Sequence, residues 1–189
     1  MQQLPEQSMS RRHFLAATVK TAAAGLLLCT PIPAWAAGKT KITKRSLAFY
    51  NTHTDEELQV TYARNNIYDP RALRAVNHLL RDHRTGDIHR IDPKLLDILY
   101  TVQCAYGDCG TFEVISGYRS PKSNAQLRRT STGVAEHSMH LVGKAIDIRP
   151  TRMKTKTLRE IALRLQRGGV GYYPKSDFVH LDTGRFRTW

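Results

Sequence analysis

The sequence is poor in cysteine, in acidic side chains and in long apolar runs, and each shortage narrows what the protein can be. Three cysteines occur in 189 residues. Cys29 falls in an N-terminal apolar run, which leaves Cys104 and Cys109, in "CAYGDC", to the folded part. No second cysteine pair exists, so metal ligation by these two is disfavoured, and they read as a disulfide staple or as two packed thiols. Against 29 Lys and Arg stand only 16 Asp and Glu, a formal net charge of +13. Such an excess attracts polyanions of any kind, but no recognisable nucleic-acid-binding motif accompanies it, so nucleic acid is not an expected partner. The apolar run from Thr21 to Cys29 is too short to cross a hydrocarbon layer of about 30 Å. Internal repeats and low-complexity segments are absent. With 41% hydrophobic residues over this length, one ordinary packed domain suffices.

What the N-terminus does contain is an address. "SRRHFL" is a twin-arginine pattern, followed by the apolar "TAAAGLLLC" and then "PIPAWA", whose small residues suit cleavage after Ala36. Residues 1–36 are therefore expected to be a twin-arginine signal peptide, removed on export of the folded protein to the periplasm. Cys29 would suit a lipoprotein only with a small residue before it, and Leu28 stands there. Removing residues 1–36 leaves 26 basic against 15 acidic side chains, a net +11, so the mature chain stays basic. No stable membrane span is expected after cleavage. Residues 37–45, small, polar and basic, read as a flexible lead-in to a domain over 46–189. The sequence does not set the oligomeric state, for which a monomer is the default.

Within that domain the first half begins with two short strands, near 46–51 and 58–63. Asp69-Pro70 and Asp92-Pro93 each combine an N-capping carboxylate with proline at the first helical position, and each precedes a helix. Leu73, Val76, Leu79 and Leu80 line one face of the first helix, and Leu95, Leu96, Leu99 and Val102 line the second. In the second half, "TFEVIS", "KAIDIRP" and "FVHLDTG" carry strand character. Between the last two, Leu158, Ile161, Ala162 and Leu165 mark a helix that ends at Gly168 and Gly169. Helices first, then a mostly antiparallel sheet with one helix inserted, make the class α+β.

The chemistry concentrates in "HSMHLVGKAIDI" and "SDFVHLDTG". His140 and Asp147 are good ligands for zinc but do not make a site alone. His180 supplies a third donor if the strand carrying Asp147 pairs with the strand carrying His180. Two imidazoles and one carboxylate leave an open coordination position for water, the composition of a catalytic rather than a structural zinc centre, and so predict hydrolysis. Asp182, two residues beyond His180, shares its face of the strand.

"SMHLVGKAID" followed by "DFVHLD" resembles the zinc signature S-x-H-x-x-G-x-A-x-D then H-x-D of the metallopeptidases grouped as lysostaphin, D-Ala-D-Ala peptidase and sonic hedgehog. "SGYRS" extends the match, and with "RGGVGYYPKSDFVHLDTG" the chain is similar, over roughly residues 45 to 189, to the murein endopeptidase K family. The resemblance implies a hedgehog/D-Ala-D-Ala-peptidase fold, with an antiparallel sheet flanked by helices. It further implies zinc held by His140, Asp147 and His180, and peptidoglycan as substrate, cut at peptide cross-links between two diaminopimelates or between D-Ala and diaminopimelate. A D-Ala-D-Ala carboxypeptidase and a non-catalytic zinc-containing wall-binding module are the alternatives. Asp177 lies three residues before His180, where related peptidases place an acidic base, and is the candidate proton acceptor, with Asp182 the candidate to orient His180. Arg119 is the candidate for gripping a substrate carboxylate or an oxyanion, Ser138 for a hydrogen bond near the ligand loop and the substrate, and Gly143 for a turn. His137 precedes the pattern and is left out of the ligand set.

Replacing Arg11 and Arg12 with lysine is expected to leave unprocessed protein in the cytoplasm, as read by cell fractionation. Normal periplasmic delivery of that variant would assign the leader to the general secretion route.

Overall fold

In the computed structural model, which describes residues 43–131 and 133–189, eight strands form a single sheet. They are β1 (Lys44–Asn51), β2 (Glu57–Arg64), β3 (Ile67–Tyr68), β4 (Phe112–Ser116), β5 (Ala145–Pro150), β6 (Gly169–Tyr173), β7 (Phe178–Asp182) and β8 (Arg187–Thr188). Their order across the sheet is β3-β2-β1-β4-β5-β7-β6-β8. Only β1 with β4 and β6 with β8 run parallel. Four helices complete the α+β fold: α1 (Pro70–Leu79), α2 (Pro93–Tyr106), α3 (Pro121–Thr130) and α4 (Thr155–Leu165). No helix among the described residues is long and apolar enough to cross a membrane. The expected leader, Cys29 and the first part of the lead-in lie outside the described residues.

The local chemistry of the helix starts is as the sequence predicts. Asp69 accepts from the amides of Arg71 and Ala72, and Asp92 accepts from Lys94, each with proline in the first turn. The third helix follows the same device with serine in place of aspartate. Ser120 precedes Pro121 and accepts from Ser123 N. It has no apolar stripe to advertise it, since its buried positions are Ser123 and Asn124. The short β3 and β8, the glycine-rich β6 and a single 3-10 turn (Met139–Val142) were likewise not foreseen.

Three expectations need correction. Lys44 and Arg45 belong to β1, where Arg45 pairs with Ala63 and its guanidinium meets Asp97 at 2.5 Å, so the lead-in ends earlier than residue 45. The sheet does not simply follow the helices: β1 and β2, ahead of them, are two of its eight strands and join the rest through β1 beside β4. Gly169 does not end α4 but opens β6. The helix closes instead on Gln166, whose left-handed backbone (φ +50°) turns the chain. Cys104 and Cys109 are free thiols, the first exposed and the second buried. Burial pushes the Cys109 thiol up to about 11.

One core unites α1, α2 and α4 with one face of the sheet. Strand alternation turns Ile146, Ile148, Val179 and Leu181 toward that core, where Leu158 and Ala162 of α4 are also buried. The intervening residues Asp147, His180 and Asp182 therefore stand on the opposite face. The loop after β4 is fastened at both ends: Tyr118 N donates to Leu80 O at 2.7 Å, and Arg119 N donates to His140 O at 3.2 Å. Buried Asp82 accepts from Ser120 N at 2.8 Å and from Arg84 N at 3.0 Å, which joins the end of α1 to the start of α3.

Burial alone would raise the Asp82 carboxyl, but bonds from Ser123, Ser120 and Arg84 outweigh it and hold the group well below the usual carboxylate range. A carboxyl held low in the folded state contributes stability that is complete above its unfolded value of about 4 and is lost as pH falls from there toward the folded value. Asp82→Ala is expected to cost about 2 kcal/mol at neutral pH by orphaning the buried Ser120 amide and removing the bond from Arg84 N. Urea unfolding should show the gap to the wild type closing below about pH 4; a gap that persists unchanged at low pH would assign the loss to packing instead.

Candidate metal centre and active-site cavity

The site is assembled by register. β5 and β7 pair antiparallel with Asp147 opposite His180, and β6 pairs with β7 so that Gly171 lies opposite His180 on its other side. His140 arrives from the 3-10 turn before β5. Ser138 caps that turn, its hydroxyl accepting from His140 N at 3.3 Å. Gly143 ends the turn at φ +65°, and a Cβ there would lie 2.2 Å from Arg90 O, so both the turn and the close approach require glycine.

Three donor atoms converge as a result. His140 Nε2 is 3.2 Å from His180 Nδ1, His180 Nδ1 is 2.8 Å from Asp147 Oδ1, and His140 Nε2 is 3.3 Å from the same oxygen. Donors at about 2.0–2.1 Å from one tetrahedral ion stand roughly 3.3 Å apart, so the spacing fits a single metal. The remaining ring nitrogens are held from behind. His140 Nδ1 meets Gly117 O at 2.7 Å, and His180 Nε2 meets Asp182 Oδ2 at 3.1 Å. Each imidazole is thereby committed to pointing its other nitrogen at the centre, the arrangement that supports histidine ligands in metal sites. All three donor residues are buried.

Asp182 occupies the position foreseen for it. Its Oδ1 accepts from Gly169 N, Gly184 N and Arg187, and its Oδ2 accepts from His180 and Arg187. Burial would raise this carboxyl, but the bonds from His180 and Arg187 and the two amides overcome that and keep it ionised. Burial also opposes a charge on His180, yet Asp147 and Asp182 outweigh it and hold the imidazole above its ordinary value. Asp147 is likewise low: burial raises it, and the two histidines more than compensate.

Beside these donors opens a cavity of about 520 Å³. Arg119, Ser138 and His137 line one part of it, and Tyr173, Phe178 and Trp189 line another. Burial lowers the Arg119 guanidinium from its ordinary value while Asp147, 3.9 Å away, opposes that shift. Its contacts to Asn124 and Ser116 are long, 3.4 and 3.5 Å, and its Nε has no partner.

Asp177 does not join the centre. It sits in the turn before β7 at φ +49° and accepts from Thr155 Oγ1 of α4 at 2.7 Å, bordering a separate cavity with Lys154 and Tyr172. Its left-handed backbone takes Asp177 out of the strand alternation of β7, and its carboxylate meets the start of α4 instead. Asp182, on the face of β7 that carries His180, has both oxygens occupied. Outside the donor set, the protonatable side chains on the cavity wall are His137 and Tyr173, alongside the two arginines. Tyr173 and Trp189 carried no sequence signal as site residues. They were detectable only as aromatics near the end of the chain.

A sheet that carries two imidazoles and a carboxylate on one face, each imidazole locked from behind and all three beside an open cavity, defines a protein built around a single metal-type centre. Residues 39–189 match the family model described as peptidoglycan L,D-endopeptidase MepK. The peptidoglycan L,D-endopeptidase MepK of Escherichia coli (strain K12) is 39% identical over 180 residues, covering 95% of this chain and 97% of its own. The probable peptidoglycan L,D-endopeptidase MepK of Haemophilus influenzae is 42% identical over 146 residues, covering 77% and 78%. The chain belongs to the peptidoglycan L,D-endopeptidase MepK family.

His140→Ala and His180→Ala are each expected to abolish stoichiometric metal in folded protein. Asp182→Asn should keep the metal with affinity lowered by about 10- to 100-fold. Metal analysis after dialysis against a graded chelator checks all three, and full occupancy in both alanine variants would remove the site.

Proposed function

We propose that the protein is a zinc peptidase of the periplasm that hydrolyses peptide cross-links of peptidoglycan, with diaminopimelate-to-diaminopimelate links as its main substrate. The observation that carries this reading is the converging His140, Asp147 and His180 donor set beside an open cavity, in a chain of the family just named. Two nitrogens and one carboxylate oxygen match the catalytic zinc composition, which leaves a coordination position free. When bound there, zinc supplies Lewis-acid polarisation of a carbonyl and activation of water near neutral pH.

The chain's own residues do the rest. Asp182 fixes the His180 tautomer, and Gly117 O fixes that of His140. Ser138 holds the ligand turn by accepting from His140 N, and it lines the cavity where a substrate peptide would lie. Arg119, desolvated and with an unpartnered Nε, grips a carboxylate of the stem peptide or the oxyanion that develops during hydrolysis. Tyr173 accepts from the Trp189 indole at 2.8 Å, so its own hydroxyl proton is available to a substrate oxygen. Asp177, which accepts from Thr155 Oγ1, and His137, on the cavity wall, are the candidates for proton transfer. The basic charge of the chain suits a polymer rich in free carboxylates, and export by the twin-arginine leader brings it to that polymer.

Incubation with cross-linked sacculi, with and without a chelator, tests the reading by mass identification of products. Cross-linked dimers should disappear only without chelator and return on adding zinc. Under the same conditions Arg119→Lys should keep its metal but lose about 10²-fold in rate, because an ammonium cannot reproduce a planar two-point grip. Wild-type cleavage that survives complete metal removal would overturn the zinc assignment, and wild-type rates in Arg119→Lys would move the clamp elsewhere.

A further inference from the structure

The indole of Trp189 is held more firmly than a terminal side chain needs, and yet half of it stays open. Its backbone N donates to Val170 O at 3.3 Å, and its carbonyl accepts from Tyr172 N at 3.1 Å, continuing the β8 pairing along β6. Its Nε1 donates to the Tyr173 hydroxyl at 2.8 Å. The Arg187 guanidinium, itself bound to Asp182, lies 5.0 Å from the ring. Beneath it sits Gly171, where a Cβ would come within 2.6 Å of the indole Cε2. The glycine opposite His180 is thus a seat cut for this ring, which rests 5.2 Å from the His180 imidazole. Despite these fixings the residue remains 50% exposed, and it lines the cavity.

A ring needed only to seal the sheet edge would be covered, since the β8 backbone pairing already closes β6. A rigid aromatic face left open toward a metal centre is instead a surface for an apolar group of a ligand. Phe178, stacked on Tyr173 at 4.5 Å, extends the same aromatic wall. Arg119 supplies the cationic end of the same cavity. The complement of such a site is an alkyl chain that ends in a carboxylate.

We infer that Trp189, seated on Gly171, is a specificity-determining wall that takes the methylene chain of a diamino acid next to the scissile bond while Arg119 takes its free carboxylate. This rests on the peptidase reading above. Partial burial of a few methylene groups is worth about tenfold in binding. A peptide with the diamino acid is therefore bound about tenfold better than one with alanine in its place.

The chain has two tryptophans, Trp35 and Trp189, so Trp35→Phe makes Trp189 the sole indole emitter of the full-length protein. That protein is titrated with two synthetic stem tetrapeptides, identical except for meso-diaminopimelate or alanine at the third position. Emission should shift with the diaminopimelate peptide at about tenfold lower concentration than with the alanine peptide. Dimers in which a donor stem with either residue at its third position is joined through that residue's carbonyl to the side-chain amine of a diaminopimelate acceptor stem give the matching ratio of KM values, with kcat little affected. In Trp189→Ala the KM ratio should fall to within about twofold, at wild-type zinc content. Gly171→Ala, which displaces the ring, should do the same, and Trp189→Phe should keep part of the ratio and guards against a folding defect. Equal affinities in the wild type, or a tenfold ratio that survives in Trp189→Ala and Gly171→Ala, overturn the inference. A protein that cleaves neither dimer yet still discriminates the peptides by emission would sink the peptidase reading and leave the aromatic subsite standing.

Discussion

The structure of the site depends on one buried carboxylate. Asp182 has no exposure to solvent and would be costly as an isolated charge. It is compensated by the Arg187 guanidinium, by two backbone amides and by the His180 imidazole. Each of those bonds also places something else. The bond to Gly169 N ties β6 to β7, and the bond to Gly184 N shapes the turn that leads to β8. The bonds to Arg187 bring β8 alongside β6, and the bond to His180 aims a donor at the centre. Remove the carboxylate and four pieces of geometry lose their common anchor.

Around that anchor, register does the remaining positioning. Asp147, His180 and Gly171 lie side by side on three adjacent strands, so one face of the sheet presents a carboxylate, an imidazole and the seat of the Trp189 indole in sequence. A slip of one residue in β7 would turn His180 into the core and bring Val179 or Leu181 out. The apolar packing of Val179 and Leu181 beside Ile146 and Ile148 in the core prevents that slip, because it would expose the two buried β7 side chains. The hydrophobic core is thus what keeps the polar face in alignment.

The cavity divides by chemistry. Its cationic side comes from Arg119, whose backbone is pinned between Leu80, Asp82's partner Ser120 and His140. Its aromatic side comes from Tyr173 of β6, Phe178 of β7 and Trp189 just after β8, with the Asp182-bound Arg187 over the Trp189 ring. A ligand that reaches both sides must combine a negative charge with apolar length, and it must lie across the three donors to do so.

Much of this was legible in the amino-acid sequence because it depends on local chemistry. The capped helix starts at Asp69-Pro70 and Asp92-Pro93 and the apolar stripe of α4 follow from neighbours a few residues apart. So does the sharing of one face by His180 and Asp182. The donor set His140, Asp147 and His180 was readable because its spacing matches a known motif, and it needed only the pairing of two strands to close. Asp177 was read from motif spacing alone, and its left-handed turn before β7 and its bond from Thr155 are contacts that such spacing does not show. What tertiary structure alone decided was everything that depends on residues far apart in the chain. That includes β1 lying beside β4, Gly117 O behind His140, and an indole at the end of the chain resting on a glycine in β6. Such contacts leave no trace in neighbouring residues, because the free energy that selects them belongs to the packed whole.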